Sequence, residues 1–191
     1  MMKHAYFLMA VTVAGVLQAF TDGNRTTSAS AAMNTDRVRA AAVTKDPSAT
    51  ADTAFAKEAA RGGMMEVELG KMAAERAANT MVKSFGKRMV ADHGKANDEL
   101  KAIARSKNIE LPTHLDAKQE ELKNKLSKLN GNEFDKAYVD AMLKDHKEDL
   151  DMMQKEAKDG KDADLMAFAA KTATVIQKHL TMIQQIHEGM K

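Results

Sequence analysis

The chain has no cysteine and no tryptophan, and only two prolines in 191 residues. Without cysteine there are no disulfides, no thiolate chemistry and no lipid attachment at a cysteine behind a leader. Six phenylalanines and two tyrosines leave no stacking platform for bases or sugars, and are better spent on packing. Charge of one sign is also scarce. The net charge is +2, with lysines and acids interleaved along the chain, so there is no basic block of the kind that tracks nucleic acid. A glycine-rich phosphate loop, a nucleophile elbow and a helix carrying two zinc-binding histidines are all missing. These absences lean toward a non-enzymatic protein and leave the question open.

What is present begins with targeting. Lys3 and His4 precede an apolar run from Ala5 to Phe20, broken only by Thr12, Gly15 and Gln18. That is the layout of a signal peptide over residues 1–31, with cleavage after Ala19 or near Ala29-Ser30-Ala31. The expected location is outside the inner membrane, in the periplasm or cell envelope. An uncleaved membrane anchor is the alternative reading of the same run. With the leader removed no integral membrane domain is expected. Loss of Lys3, Arg25 and Asp22 leaves a mature chain of about +1. From about Thr21 to Ala51 the chain is mostly Ser, Thr, Ala, Asn and Asp, with Pro47 near its end and no clear period, and residues 32–51 read as a flexible linker.

From residue 52 to 191 the pattern is helical. Long helices are expected over about 53–78, 80–107, 133–158 and 162–188, with a short one over about 116–129. Asn79-Thr80 supplies a turn and cap, and Asn108 with Pro112 stops the second helix. Asp116 and Gln119 form a capping box, Asn130-Gly131 ends the short helix, and Asp162 caps the last. No segment alternates with period two, so the fold class is all-α, one bundle of four long helices. Each long helix is roughly 40 Å long at 1.5 Å per residue. The connection of about 25 residues between the second and third long helices can cover that distance. It permits an up-down-down-up, ferritin-like four-helix bundle with the short extra helix in the crossover.

Each long helix carries an apolar stripe with one ionisable intruder. The stripes read Phe55, Ala59, Gly62, Glu66, Leu69, Ala73; then Val82, Phe85, Met89, His93, Ala96, Leu100, Ile103. The third is Phe134, Tyr138, Met142, His146, Leu150, Met153, and the fourth Leu165, Phe168, Thr172, Val175, His179, Met182, Ile186. All four intruders fall near mid-helix, so side-by-side packing should bring Glu66, His93, His146 and His179 into one layer. Three imidazoles and a carboxylate suit one transition metal ion: zinc, copper, manganese or iron. They equally suit a structural or pH-responsive layer in which the groups satisfy one another. Asp92 and Asp145 precede histidines, point about 100° away from them, and are placed to orient a histidine of another helix. Tyr138 reads as a core tyrosine with its hydroxyl bonded nearby, and the fifteen methionines as core filling in preference to copper(I) ligands. His114 and His187 fall outside the layer.

The stretches AFAKEAARGGMMEVELGKMAAERA, KSFGKRMVADHGKANDELKAIA, LNGNEFDKAYVDAMLKDH and AFAAKTATVIQKHL resemble the bacterial family called domain of unknown function four-one-four-two. It is often labelled predicted outer-membrane protein. The resemblance covers about Thr53 to Glu188 and implies an exported, ferritin-like helical bundle without an established activity. At Thr174 the family pattern tends to carry proline, so the last helix should be less kinked here. Integral outer-membrane proteins are β-barrels and nothing here is strand-like, so any membrane association would be peripheral. Ferritin-like di-iron sites use Glu-x-x-His on two helices. Val90, Leu143 and Ile176 stand three residues before the histidines, so the di-iron motif is absent.

Overall fold

The computed structural model describes residues 47–190; the expected signal peptide over 1–31 and most of the expected linker lie outside them. Five helices account for the described chain: α1 Pro47–Arg76, α2 Thr80–Ser106, α3 Ala117–Ser127, α4 Gly131–Asp159 and α5 Ala163–Gly189. There is no strand among the described residues. The expected order of four long helices and one short is found, with shifts at the ends. α1 begins at Pro47, inside the segment read as linker. Proline suits a first helical turn, where its missing N–H has no partner to lose. α4 begins at Gly131, whose φ of +59° is a left-handed conformation that glycine adopts without a Cβ penalty.

The caps follow the sequence. Asn79 Oδ1 accepts from Met81 N at 2.8 Å, and Asp162 Oδ1 accepts from Asp164 N and Leu165 N at 3.1 Å each. In the capping box Gln119 N donates to Asp116 Oδ1 at 2.8 Å and Asp116 N to Gln119 Oε1 at 3.1 Å. Asn108, at φ +54°, turns the chain out of α2 just before Pro112. α5 runs unbroken through Thr174, whose hydroxyl bonds Ala170 O at 3.2 Å.

Contacts between helices fix the topology. A Cβ placed on Gly86 would lie 2.7 Å from Gly70 O, so α1 and α2 touch backbone to backbone, antiparallel across their short turn. Asp52 meets the α4–α5 turn at Lys161 and Asp162, while Asp135 meets the α1–α2 turn at Ala78 and Asn79. α1 and α4 are therefore antiparallel. Lys107 pairs with Asp162 and Asp164 at 2.7 Å each, and Asp92 with His179, so α2 and α5 are antiparallel as well. The run of directions is up, down, down, up. α3 lies in the crossover on α1 and α4, tied by Lys123–Glu68 at 2.9 Å and by Arg76 donating to Ser127 O at 2.6 Å.

The expected stripes of α1, α2 and α4 face the core, with Leu69, Val82, Met89, Phe134 and Met142 fully enclosed. In α5 the phase differs by one residue: Ile176 and Ile183 are fully buried, whereas Val175 and Met182 are half-buried. Both isoleucines stand beside equally apolar neighbours, so the sequence pattern could not choose between them. Met65, Met89, Met142 and Met153 sit in the core, in keeping with a packing role.

Candidate metal centre

The four intruding side chains meet at the middle of the bundle. Glu66 is 1%, His93 4%, His146 0% and His179 1% exposed. Glu68, two residues from Glu66, is on the surface. The imidazole centroids form a triangle with sides of 5.8, 5.2 and 5.5 Å, and Phe85 closes it from one side, 5.9 Å from His146 and 6.2 Å from His179. One donor atom from each histidine lies within 4.8 Å of the others.

Hydrogen bonds decide which nitrogens are free. Carbonyls only accept, so His146 Nδ1 donates to Met142 O at 3.0 Å, and the neutral ring leaves Nε2 with a bare lone pair. His179 Nε2 donates to Asp92 Oδ2 at 3.0 Å, which leaves its Nδ1 bare. Asp92, carried on α2, thus orients a histidine of α5, as its offset from His93 required. Its own carboxylate is held below the usual range by His179 and Arg88, despite partial burial.

His93 has two arrangements. Its Nδ1 lies 2.6 Å from Glu66 Oε2 and its Nε2 lies 3.2 Å from His179 Nδ1. If Glu66 is protonated, it donates to His93 Nδ1, and His93 Nε2 in turn donates to His179 Nδ1. The chain Glu66–His93–His179–Asp92 is then closed. If Glu66 is ionised, His93 donates to Glu66 instead, and three bare nitrogens from three helices converge. That second state is a ready cation acceptor. One proton separates the two.

Burial biases the metal-free layer toward the first state. It raises Glu66 well above the carboxylate range and pushes His93 down to about 4, His146 to about 3 and His179 to about 4. All three rings are neutral at pH 7, as ligation requires.

Even the closed chain leaves polar atoms stranded. Glu66 Oε1, His146 Nε2, Asp145 Oδ2 and the Tyr138 hydroxyl are buried without a hydrogen-bond partner among the described residues; Glu66 Oε1 and His146 Nε2 are 3.5 Å apart. The expectation that the Tyr138 hydroxyl is bonded nearby is therefore corrected. Its ring is wedged between Phe134 at 5.8 Å and Phe85 at 6.4 Å, which fixes where the hydroxyl points. Burial and the charges of Glu66 and Asp145 raise its pKa. Each such group costs about 1–3 kcal/mol, so their gathering at one place calls for a ligand or water.

Asp145, expected to orient a histidine of another helix, bonds none through its buried Oδ2. Instead it joins Glu66 and its own neighbour His146 in a second set of donor atoms within 4.8 Å of one another, and Asp149 is a further acid beside the layer that the sequence reading did not include. Asp149, half-buried, is raised by burial and by Glu66. Both stand one step off the apolar stripe of α4, where an acid normally reads as surface. His187 lies outside the layer, 3.4 Å from Asp140, and His114 is exposed.

No curated protein and no solved structure matches the chain. The family described as a domain of unknown function, DUF4142, matches residues 37–186; with that span covered, the chain belongs to the DUF4142 family.

Proposed function

We propose that this protein is an exported, ferritin-like bundle that holds one transition metal ion on His93, His146 and His179, with Glu66 fixing the His93 ring. The observation that carries the reading is His146 Nε2, a bare lone pair on a side chain with no exposure. The nitrogen set suits zinc or copper(II) ahead of manganese. An ionised Glu66 accepting from His93 Nδ1 resembles the carboxylate–imidazole pairs that orient metal-bound histidines. Bound metal would supply a Lewis-acid centre. Nothing else in the layer, in particular no nucleophile beside a base, points to turnover.

A second reading is favoured by one observation, the closed Glu66–His93–His179–Asp92 chain. There the layer is a hydrogen-bonded device that keeps four helices in register.

Thermal unfolding separates the two. Tag-free wild type and His146→Leu are compared with chelator and with zinc, copper(II), manganese or iron(II). The metal reading expects a rise in the wild-type midpoint with at least one metal, equivalent to about 3 kcal/mol at a hundredfold excess over Kd, and no rise in the variant. If no metal moves the wild type, the layer is structural.

A further inference from the structure

Opposite faces of the buried layer open onto grooves of opposite charge. Between α2 and α5 a groove of about 340 Å3 reaches His93 and His179, and its rim carries Arg88, Lys95, Lys171 and Lys178 against Asp92 and Glu99. Beneath α3 a larger one, about 740 Å3, is bounded by Glu58, Asp116, Asp140 and Glu148 against three lysines, with Asp145 and Asp149, on which burial favours the protonated form, able to give up their protons to an arriving cation. A divalent cation is repelled by the first and drawn to the second.

The acidic groove ends on the layer itself. Asp145 forms part of its wall, and the Asp145 carboxylate lies within 4.8 Å of donor atoms on Glu66 and His146. Glu66 Oε1 and His146 Nε2, on side chains 1% and 0% exposed, have no hydrogen-bond partner among the described residues. Asp145 is thus the residue shared by the groove wall and this buried donor set. His146 donates through Nδ1 to Met142, so Nε2 is its only free nitrogen and holds one ion at a time.

Resting on the metal reading of the layer, we infer that Asp145, Glu66 and His146 form a carboxylate-rich station on which a divalent transition-metal ion arrives through the groove beneath α3, before it passes to the three histidines. Passage exchanges carboxylate oxygens for the nitrogens of His93 and His179 while His146 stays bound. Both donor sets include His146, and no bond to carbon is made or broken. α3 roofs this route with a single fully buried side chain, Leu126, so the crossover shields the station with little packing to disturb.

Uptake kinetics test the route. Metal-free full chain is mixed with cobalt(II) in a stopped-flow absorbance experiment, using wild type, Asp145→Asn, Glu148→Lys on the groove wall, and Lys178→Glu on the basic rim. The expected result is uptake of one cobalt by wild type and uptake slowed on the order of tenfold in Asp145→Asn, with the same final spectrum and stoichiometry. Glu148→Lys should also be slow even if Asp145→Asn folds poorly, and Lys178→Glu should match wild type. Uptake by Asp145→Asn and Glu148→Lys at the wild-type rate, or a Lys178→Glu that accelerates uptake more than the acidic variants retard it, overturns the route and leaves the metal reading standing. An altered final spectrum in Asp145→Asn makes Asp145 a permanent ligand and overturns the hand-over. Failure of wild type to take up any cobalt or other divalent metal ends both.

Discussion

At His146 three demands meet: a ring with no exposure, one nitrogen committed to Met142 O, and one nitrogen with no donor to accept from among the described residues. Burial, then the neighbouring His93 and His179, hold its pKa at about 3, far below the ordinary imidazole value near 6.5. The sign of the pH effect follows. In the unfolded chain the ring gains a proton below about pH 6.5, and in the fold it stays neutral until about pH 3. The stability it contributes is complete above pH 6.5 and is lost as the pH falls. Glu66 and Asp145, raised by burial, act the other way, losing their contribution as the pH rises, so the total profile of the wild type mixes both. The difference between wild type and His146→Leu isolates the histidine. With chelator present, urea unfolding should show this difference moving in the variant's favour by about 2–3 kcal/mol between pH 6.5 and 4.5. A difference that stays constant over that range would mean the folded ring titrates normally. The intruding histidine was visible from the stripe, while its free nitrogen was not, because tautomers are set by partners on other turns and helices.

Helices and their stripes were legible because period 3.6 and cap chemistry are local. Asn79, Asp116 and Asp162 cap the helices their positions announced, and Glu66 faces the core as its place in the stripe of α1 implied. Less legible were the long-range duties of aspartates that look like surface residues. Asp52 on α1 accepts from Lys161 N and Asp162 N, at 3.1 and 2.7 Å through Oδ2. Asp135 on α4 accepts from Ala78 N at 3.1 Å and Asn79 N at 2.6 Å. Each hairpin's turn is thus clamped by a helix of the other hairpin. Asp52 and Asp135, Glu66 and Asp149, Asn79 and Asp162, and Phe85 and Phe168 recur at one constant spacing, so the two hairpins repeat a common plan. A sign was available: both clamping aspartates are flanked by core residues, Phe55 and Ala56 after one, Phe134 and Tyr138 around the other. Asp135→Ala strands two backbone N–H groups at a position 1% exposed and should cost about 2–3 kcal/mol. Asp52→Ala should cost a similar amount at the opposite end, and the double variant should show nearly the sum. Chemical denaturation of the three variants checks this; a double variant no worse than either single one would mean that the clamps act as one unit.

For the molecule as a whole, the layer sits at the centre of a bundle whose crossover places an acidic groove on one face and a basic one on the other. None of that charge arrangement was readable from a net charge of +2, because it depends on which helices become neighbours. No helix among the described residues is long and apolar enough to cross a membrane. The proposed export rests on sequence alone: Lys3 followed by the apolar run to Phe20 has the charged start and hydrophobic stretch of a signal peptide. Export would also bear on the centre, since a site built from imidazoles competes for whichever metal its compartment offers, with affinities that follow a common order across proteins. The prediction is that residues 1–35 fused to a reporter active only beyond the inner membrane give activity, and that replacing Leu8, Val11 and Val13 with Asp abolishes it. A wild-type fusion that stays in the cytoplasm would remove the envelope from the proposal and leave the bundle and its histidine layer to be tested against cytoplasmic metal levels.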